Sequence, residues 1–371
     1  MGESHTLRSL LIFLSVFAVY WLTQGAGQHS ELAIQAYCML HGQMCIDGVA
    51  TAAESVVWVG KHYLINPPLG AVLLMPWVAL TGSANQTPIA IAIAAAGAAL
   101  VSRLGRTVSD SLTLAALWAF GTVAWYGATN GDSWHFSLLL STIPTLIALD
   151  AAEGGYGAMA GVFGGLAALA RFDMAAVLPV YGAKLRRNWL KFALCVLPAA
   201  LLYVLWSEAR FGLPIDQAER LWWAVDTWAP QHGTALLSLR NIPFNLETWL
   251  LAGPTVRFSF PYFVPSAYGQ SILLTTPAFL LALRARKGSG FLWAGLAAAL
   301  VGPALFYANG WIQYGCRFWI QGYPFLFALM ARQPLNDRLA RVLIVLSVVF
   351  CGLGMWAIHH GGFVTNLSLY A

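Results

Sequence analysis

Apolar runs of about a dozen to seventeen residues, separated by short basic or polar breaks, recur from Leu10 to Ile358. They most constrain what this chain can become. Only 9% of its 371 residues are charged and 59% are hydrophobic, against about 25% charged in ordinary soluble domains. With so little charge to cover a globule, lipid becomes the expected solvent, and runs of this kind fit helices across a ~30 Å hydrocarbon core. Strand-type alternation is absent. The fold class expected is an all-α polytopic membrane protein forming one integral domain over residues 1–371. Its outer loop spans residues 24–68 and an outer interfacial segment spans 207–266.

Basic clusters give the expected orientation. Arg8, Arg103 and Arg106, Lys184 to Lys191, Arg284 to Lys287, and Arg332 to Arg341 all fall between apolar runs and read as cytoplasmic. Leu69–Leu80 and Pro88–Val101 cannot both cross without stranding Arg103 outside. The double proline Pro67-Pro68, suited to a first helical turn, therefore reads as the start of a re-entrant or interfacial helix. About eleven transmembrane helices result, with the N-terminus cytoplasmic and the C-terminus extracytoplasmic, in a bacterial inner membrane. The net charge of +5 follows these clusters and does not point to nucleic acid.

The segment Gln24–Gly70 concentrates polar chemistry. Glu31 opens an amphipathic helix over Glu31–Leu40, Asp47 follows a glycine break, and Glu54 precedes a strand-like run. A carboxylate there suits general-base work on an acceptor hydroxyl. Glu31 and Asp47 are the two catalytic candidates, although either taken alone also reads as an ordinary solvated loop acid. Glu54, Lys61 and His62 are candidate substrate contacts. Further along, Arg171-Phe172-Asp173 ends a long apolar run and Arg317 stands at the start of another. Two guanidiniums there suit a phosphate, with Asp173 beside them. A local Arg171–Asp173 pair or interfacial anchoring accounts for them too. His29, His135 and His232 show no metal-ligand spacing, so no cofactor is indicated, although a divalent metal is compatible with the chemistry. Cys38 and Cys45 read either as a disulfide or as small apolar residues. No phosphate loop, dinucleotide fingerprint or nucleophile elbow appears with the right flanks.

Three patches carry a family resemblance: Ser30-Glu31 with Asn66-Pro67-Pro68-Leu69-Gly70, the stretch HGQMCIDG…VGKHYLINPPLG, and the segments ALARFDMAAVLP and YGCRFWIQGYPFLFALM. They resemble the GT-C superfamily of membrane glycosyltransferases, in particular protein O-mannosyltransferases and their bacterial relatives. There the first outer loop carries an Asp-Glu pair and a His-Pro-Pro-Leu-Gly motif. Ser30 and Asn66 depart from that pattern, so only Glu31 carries over as base. The resemblance implies an inverting enzyme that moves a sugar from a polyprenyl-phosphate donor to a protein, lipid or glycan acceptor at the outer face. Membrane lipid is its surroundings. A transporter or lipid flippase is the alternative from another class, and a non-catalytic envelope subunit is a third.

Overall fold

The structure is a computed structural model. It describes residues 2–25, 30–47, 54–226, 233–256, 258, 262–266, 268–285, 288–310 and 313–361. His29, His232, Arg286 and Lys287 lie outside the described residues.

Sixteen α-helices and two small hairpins form among them. The first half contains α1 (Gly2–Leu22), α2 (Glu31–Leu40), β1 (Ser55–Trp58), β2 (Lys61–Leu64), α3 (Pro68–Thr81), α4 (Thr87–Ser102), α5 (Val108–Phe120), α6 (Ala124–Asn130), α7 (Ser133–Glu153) and α8 (Gly157–Ala170). The second contains α9 (Leu178–Leu185), α10 (Trp189–Phe211), α11 (Ala218–Val225), α12 (Ile242–Leu250), β3 (Thr255–Val256), β4 (Phe263–Val264), α13 (Ile272–Thr275), α14 (Gly290–Leu305), α15 (Tyr323–Met330) and α16 (Arg338–Gly361). Tighter 3₁₀ turns cover Phe172–Val177, Pro277–Arg284 and Arg317–Gly322.

The centre of the bundle is α7. Asp132 caps it, accepting from the His135 backbone N–H at 2.8 Å, which satisfies one of the orphan donors of a helix start. Its interior hydroxyls return to the helix's own carbonyls: Ser141 to Leu138 and Thr142 to Leu139, at 2.7 and 2.6 Å. These hydroxyls can thus be buried in the helix with partners of their own. On its flanks, α4 and α5 approach closely because Gly97 leaves room for the Trp118 indole, which donates to the Ala94 carbonyl at 2.9 Å.

The eleven-crossing expectation is overturned. By length and composition only four stretches of described helix could cross a membrane: His5–Leu22, Ser133–Glu153, Phe172–Phe211 and Arg338–Trp356. The orientation assigned to the termini in an inner membrane falls with that count. Two physical reasons account for the difference. Several apolar runs make helices too short to span: α4 has 16 residues, about 24 Å at 1.5 Å per residue, against a core of ~30 Å. Others are broken near prolines, as where Pro277 and Pro324 divide the runs 272–284 and 317–330 into 3₁₀ and short α pieces. A helix apolar all round also belongs in a protein interior. All eight residues of α15 are buried by the protein itself, and so is 83% of the α7 window, against 11% for His5–Leu22.

The loop after α2 becomes a two-residue hairpin. β1 and β2 pair antiparallel, Ser55 opposite Leu64 and Trp58 opposite Lys61. Val59 and Gly60 turn the corner with φ of 48° and 73°, the double positive pair of the tight hairpin turn that matches strand twist. Val56 and Tyr63 pack on Phe211 and Ala218, so the hairpin lies against the end of α10 and the start of α11.

Candidate functional site

Both arginines singled out by the sequence stand where a helix breaks. Arg171 follows α8 with an extended backbone, φ −147° and ψ 114°, before the turn Phe172–Val177. Arg317 opens the turn Arg317–Gly322. Both guanidiniums approach the ring of Phe318, with Cζ at 5.8 Å for Arg171 and 5.6 Å for Arg317. Arg317 also lies 4.6 Å from the Trp134 ring centre. The guanidiniums share an aromatic surface that favours cations, while their like charges repel.

Acidic groups surround them. Glu54, at the mouth of the hairpin, is buried, and its Oε2 has no hydrogen-bond partner among the described residues. Burial pushes its carboxyl well above the usual range; Arg317 opposes the shift and Glu31 adds to it. Glu219, on α11, is pushed up to about 7 by burial, against the charge of Arg171, with Asp216 and Asp173 adding to the rise. Asp132 behaves oppositely. Burial would raise it, but His135, through charge and hydrogen bonds, and Arg317 hold it at about 2. Burial lowers the Arg317 pKa and Asp132 and Glu54 resist this, whereas Arg171 works with burial. These mutual influences draw residues from six separate parts of the chain into one electrostatic unit.

Two further carboxylates have donors of their own. Glu31 Oε2 accepts from the Ser133 hydroxyl at 2.9 Å. That hydroxyl also accepts from the Gln86 amide at 3.1 Å. Asp173 Oδ2 accepts from the Gln321 amide at 3.0 Å. Its Oδ1 lies 3.4 Å from Arg171 Nε, an ion-pair distance, yet neither atom has a hydrogen-bond partner among the described residues.

Of the sequence candidates, Glu31, Glu54, Arg171, Asp173 and Arg317 therefore come together. Asp47, Lys61 and His62 do not join them: they lie exposed on the hairpin and its approach. There Asp47 Oδ1 accepts from the His62 backbone N–H at 2.9 Å. Cys38 and Cys45 are both free thiols. Sequence reasoning missed Asp132, Ser133, Gln86 and Glu219. The signal for the first pair was a helix-capping aspartate ahead of a long apolar run. Among the described residues no group of three or more His, Cys, Asp or Glu side chains could hold a metal ion.

No family model, no curated protein and no solved structure matches this chain. The GT-C resemblance is thereby overturned, and with it the polyprenyl-phosphate glycosyltransferase, its inverting mechanism and the transporter or flippase alternative. The patches that carried the likeness have local explanations. Pro67 caps α3 and Pro68 opens it, a role proline fills in unrelated helices. The VGKHYL stretch forms the turn and second strand of the hairpin, and Asp47, closing the described part of the first stretch, braces it.

Proposed function

We propose that this protein binds a small phosphate-type oxyanion, as a free ion or as the head of a phosphorylated ligand, between Arg171 and Arg317. One observation carries the reading: two guanidiniums from distant helix breaks are gathered on a single ring, Phe318. Gathering buried like charges is costly without compensation. The nearby acids compensate only in part. Burial favours the neutral form of Glu54, and Glu219 loses its charge below about 7, which leaves Asp132 and Asp173 facing the two guanidiniums. Guanidinium forks matched to a tetrahedral oxyanion complete the balance.

Thermal unfolding with inorganic phosphate, against chloride at equal ionic strength, tests this. A ligand that binds only the folded state raises its stability by RT ln(1 + [L]/Kd). The expected result is a phosphate-specific rise in Tm that Arg171→Gln abolishes, with a cooperative ligand-free melt of the variant showing that it folds. Equal shifts with phosphate and chloride, or a rise unchanged in Arg171→Gln, would mean that the carboxylates alone satisfy the arginines.

A further inference from the structure

Arg171 and Asp173 form an ion pair that stops short of closing. Nε and Oδ1 lie 3.4 Å apart, whereas a charge-assisted N–H···O bond closes to about 2.7–2.9 Å. Both atoms are buried, and neither has a hydrogen-bond partner among the described residues. Opposite charges this near in the chain, on side chains free to rotate, would ordinarily complete a guanidinium–carboxylate fork.

Gln321 holds the carboxylate back. Its side chain is fully buried, and both hydrogens of its amide are committed: one to Asp173 Oδ2 at 3.0 Å and the other to the Ala299 carbonyl on α14. These two acceptors fix which end of the amide faces them, since only the NH2 donates. From the other side α14 packs on Asp173 at Gly302, where an added Cβ would fall 2.9 Å from Asp173 Cβ. Gln321 also belongs to the turn that supplies Arg317 and the Phe318 ring approached by both guanidiniums. One turn therefore presents one arginine, seats the other and ties back the acid that competes for it.

We infer that Gln321 is a positioning residue for the oxyanion site: by tethering Asp173 it keeps the Arg171 fork open for the anion. This rests on the oxyanion reading above. Without the tether the carboxylate rotates onto Arg171, closes the pair and takes the donors that the anion needs.

Calorimetric titration with sulfate at one fixed pH tests this. Gln321→Met keeps the length of the side chain and removes the tether. It should weaken sulfate binding about tenfold, the worth of one charge-assisted hydrogen bond. Adding Asp173→Asn should remove the competitor, so the double variant should bind sulfate within about twofold of Asp173→Asn alone. A role confined to packing would cost affinity equally in both backgrounds. Asp173→Glu makes the same test at a partly exposed position. Its longer carboxylate slips the tether and reaches Arg171, and should weaken sulfate binding about as much as Gln321→Met. Wild-type affinity in Gln321→Met or Asp173→Glu, or an equal loss in both backgrounds, would overturn the tether while leaving the oxyanion site standing. No sulfate binding by the wild-type chain would overturn both.

Discussion

Asp132 holds His135 twice: Oδ1 accepts from the backbone N–H at 2.8 Å and Oδ2 lies 2.7 Å from ring Nδ1. One carboxylate thus starts the central helix and fixes an imidazole inside it. His135 and Arg317 outweigh burial and hold the carboxyl at about 2, below the ordinary aspartate value near 3.8. The stability this confers is complete above the ordinary value and is lost as pH falls through about 2. Asp132→Asn still caps the helix but cannot carry the charge. It should cost on the order of 2 kcal/mol at pH 7, and the difference from wild type should shrink as pH falls from about 4 to about 2. Denaturant unfolding at several pH values checks both points.

Glu219 predicts a pH dependence of opposite sense. Its carboxyl is raised to about 7, so it is neutral below that pH and adds a negative charge beside Arg171 above it. Arg171, Arg317, Asp173 and Asp216 are the charged groups acting on it. Sulfate keeps its charge across this range and is the suitable probe. Its affinity should fall about fivefold as pH rises through about 7, the effect of roughly 1 kcal/mol of charge interaction. Glu219→Gln should hold the low-pH affinity throughout. Calorimetry from pH 5.5 to 8.5, probe values spanning that titration, makes the comparison.

Arg210 locks the hairpin to the bundle. Its Nη1 lies 3.0 Å from Asp216 Oδ2, its Nη2 donates to the Leu64 carbonyl, and its guanidinium stacks 4.8 Å from the rings of both Trp206 and Phe211. Arg210→Met leaves Asp216 as a largely buried, unpaired charge, a loss of about 3–5 kcal/mol. Amide exchange should accelerate first in β1 and β2, whose carbonyl at Leu64 has lost its donor.

The α4–α5 contact predicts a steric effect. A Cβ at Gly97 would fall 2.5 Å from Trp118 Cζ2, inside any tolerable contact. Gly97→Ala should destabilise by about 1–3 kcal/mol through overpacking. Gly290→Ala, where nothing lies within 4 Å of the added carbon, should be within about 0.5 kcal/mol of wild type. Paired thermal unfolding measures both.

Local chemistry was readable where a residue type has one physical use. Pro67-Pro68 announced the start of α3, and the amphipathic stretch Glu31–Leu40 is α2. Glu54 preceding a strand-like run matches β1. Apolar character alone was not readable, because it does not say which solvent covers it. The runs forming α7 and α15 are covered largely by protein, yet they read as strongly as a span does. The cluster of Glu31, Glu54, Arg171, Asp173 and Arg317 could be named one residue at a time but not assembled, since its members meet only through helix breaks far apart in the chain. Asp132 and His135 lay hidden in Gly-Asp-Ser-Trp-His, which reads as a loop between apolar runs until the capping bond is seen. Glu219 stands in a short Trp-rich helix whose polar face gives no hint that it turns toward Arg171.

The central claim concerns where an oxyanion sits, and anomalous diffraction from crystals soaked in tungstate locates one directly. The expected result is a tungsten peak within hydrogen-bonding reach of both the Arg171 and Arg317 guanidiniums, lost in Arg171→Gln. A peak confined to other arginines, such as Arg332 or Arg338, with none between Arg171 and Arg317, would contradict the account.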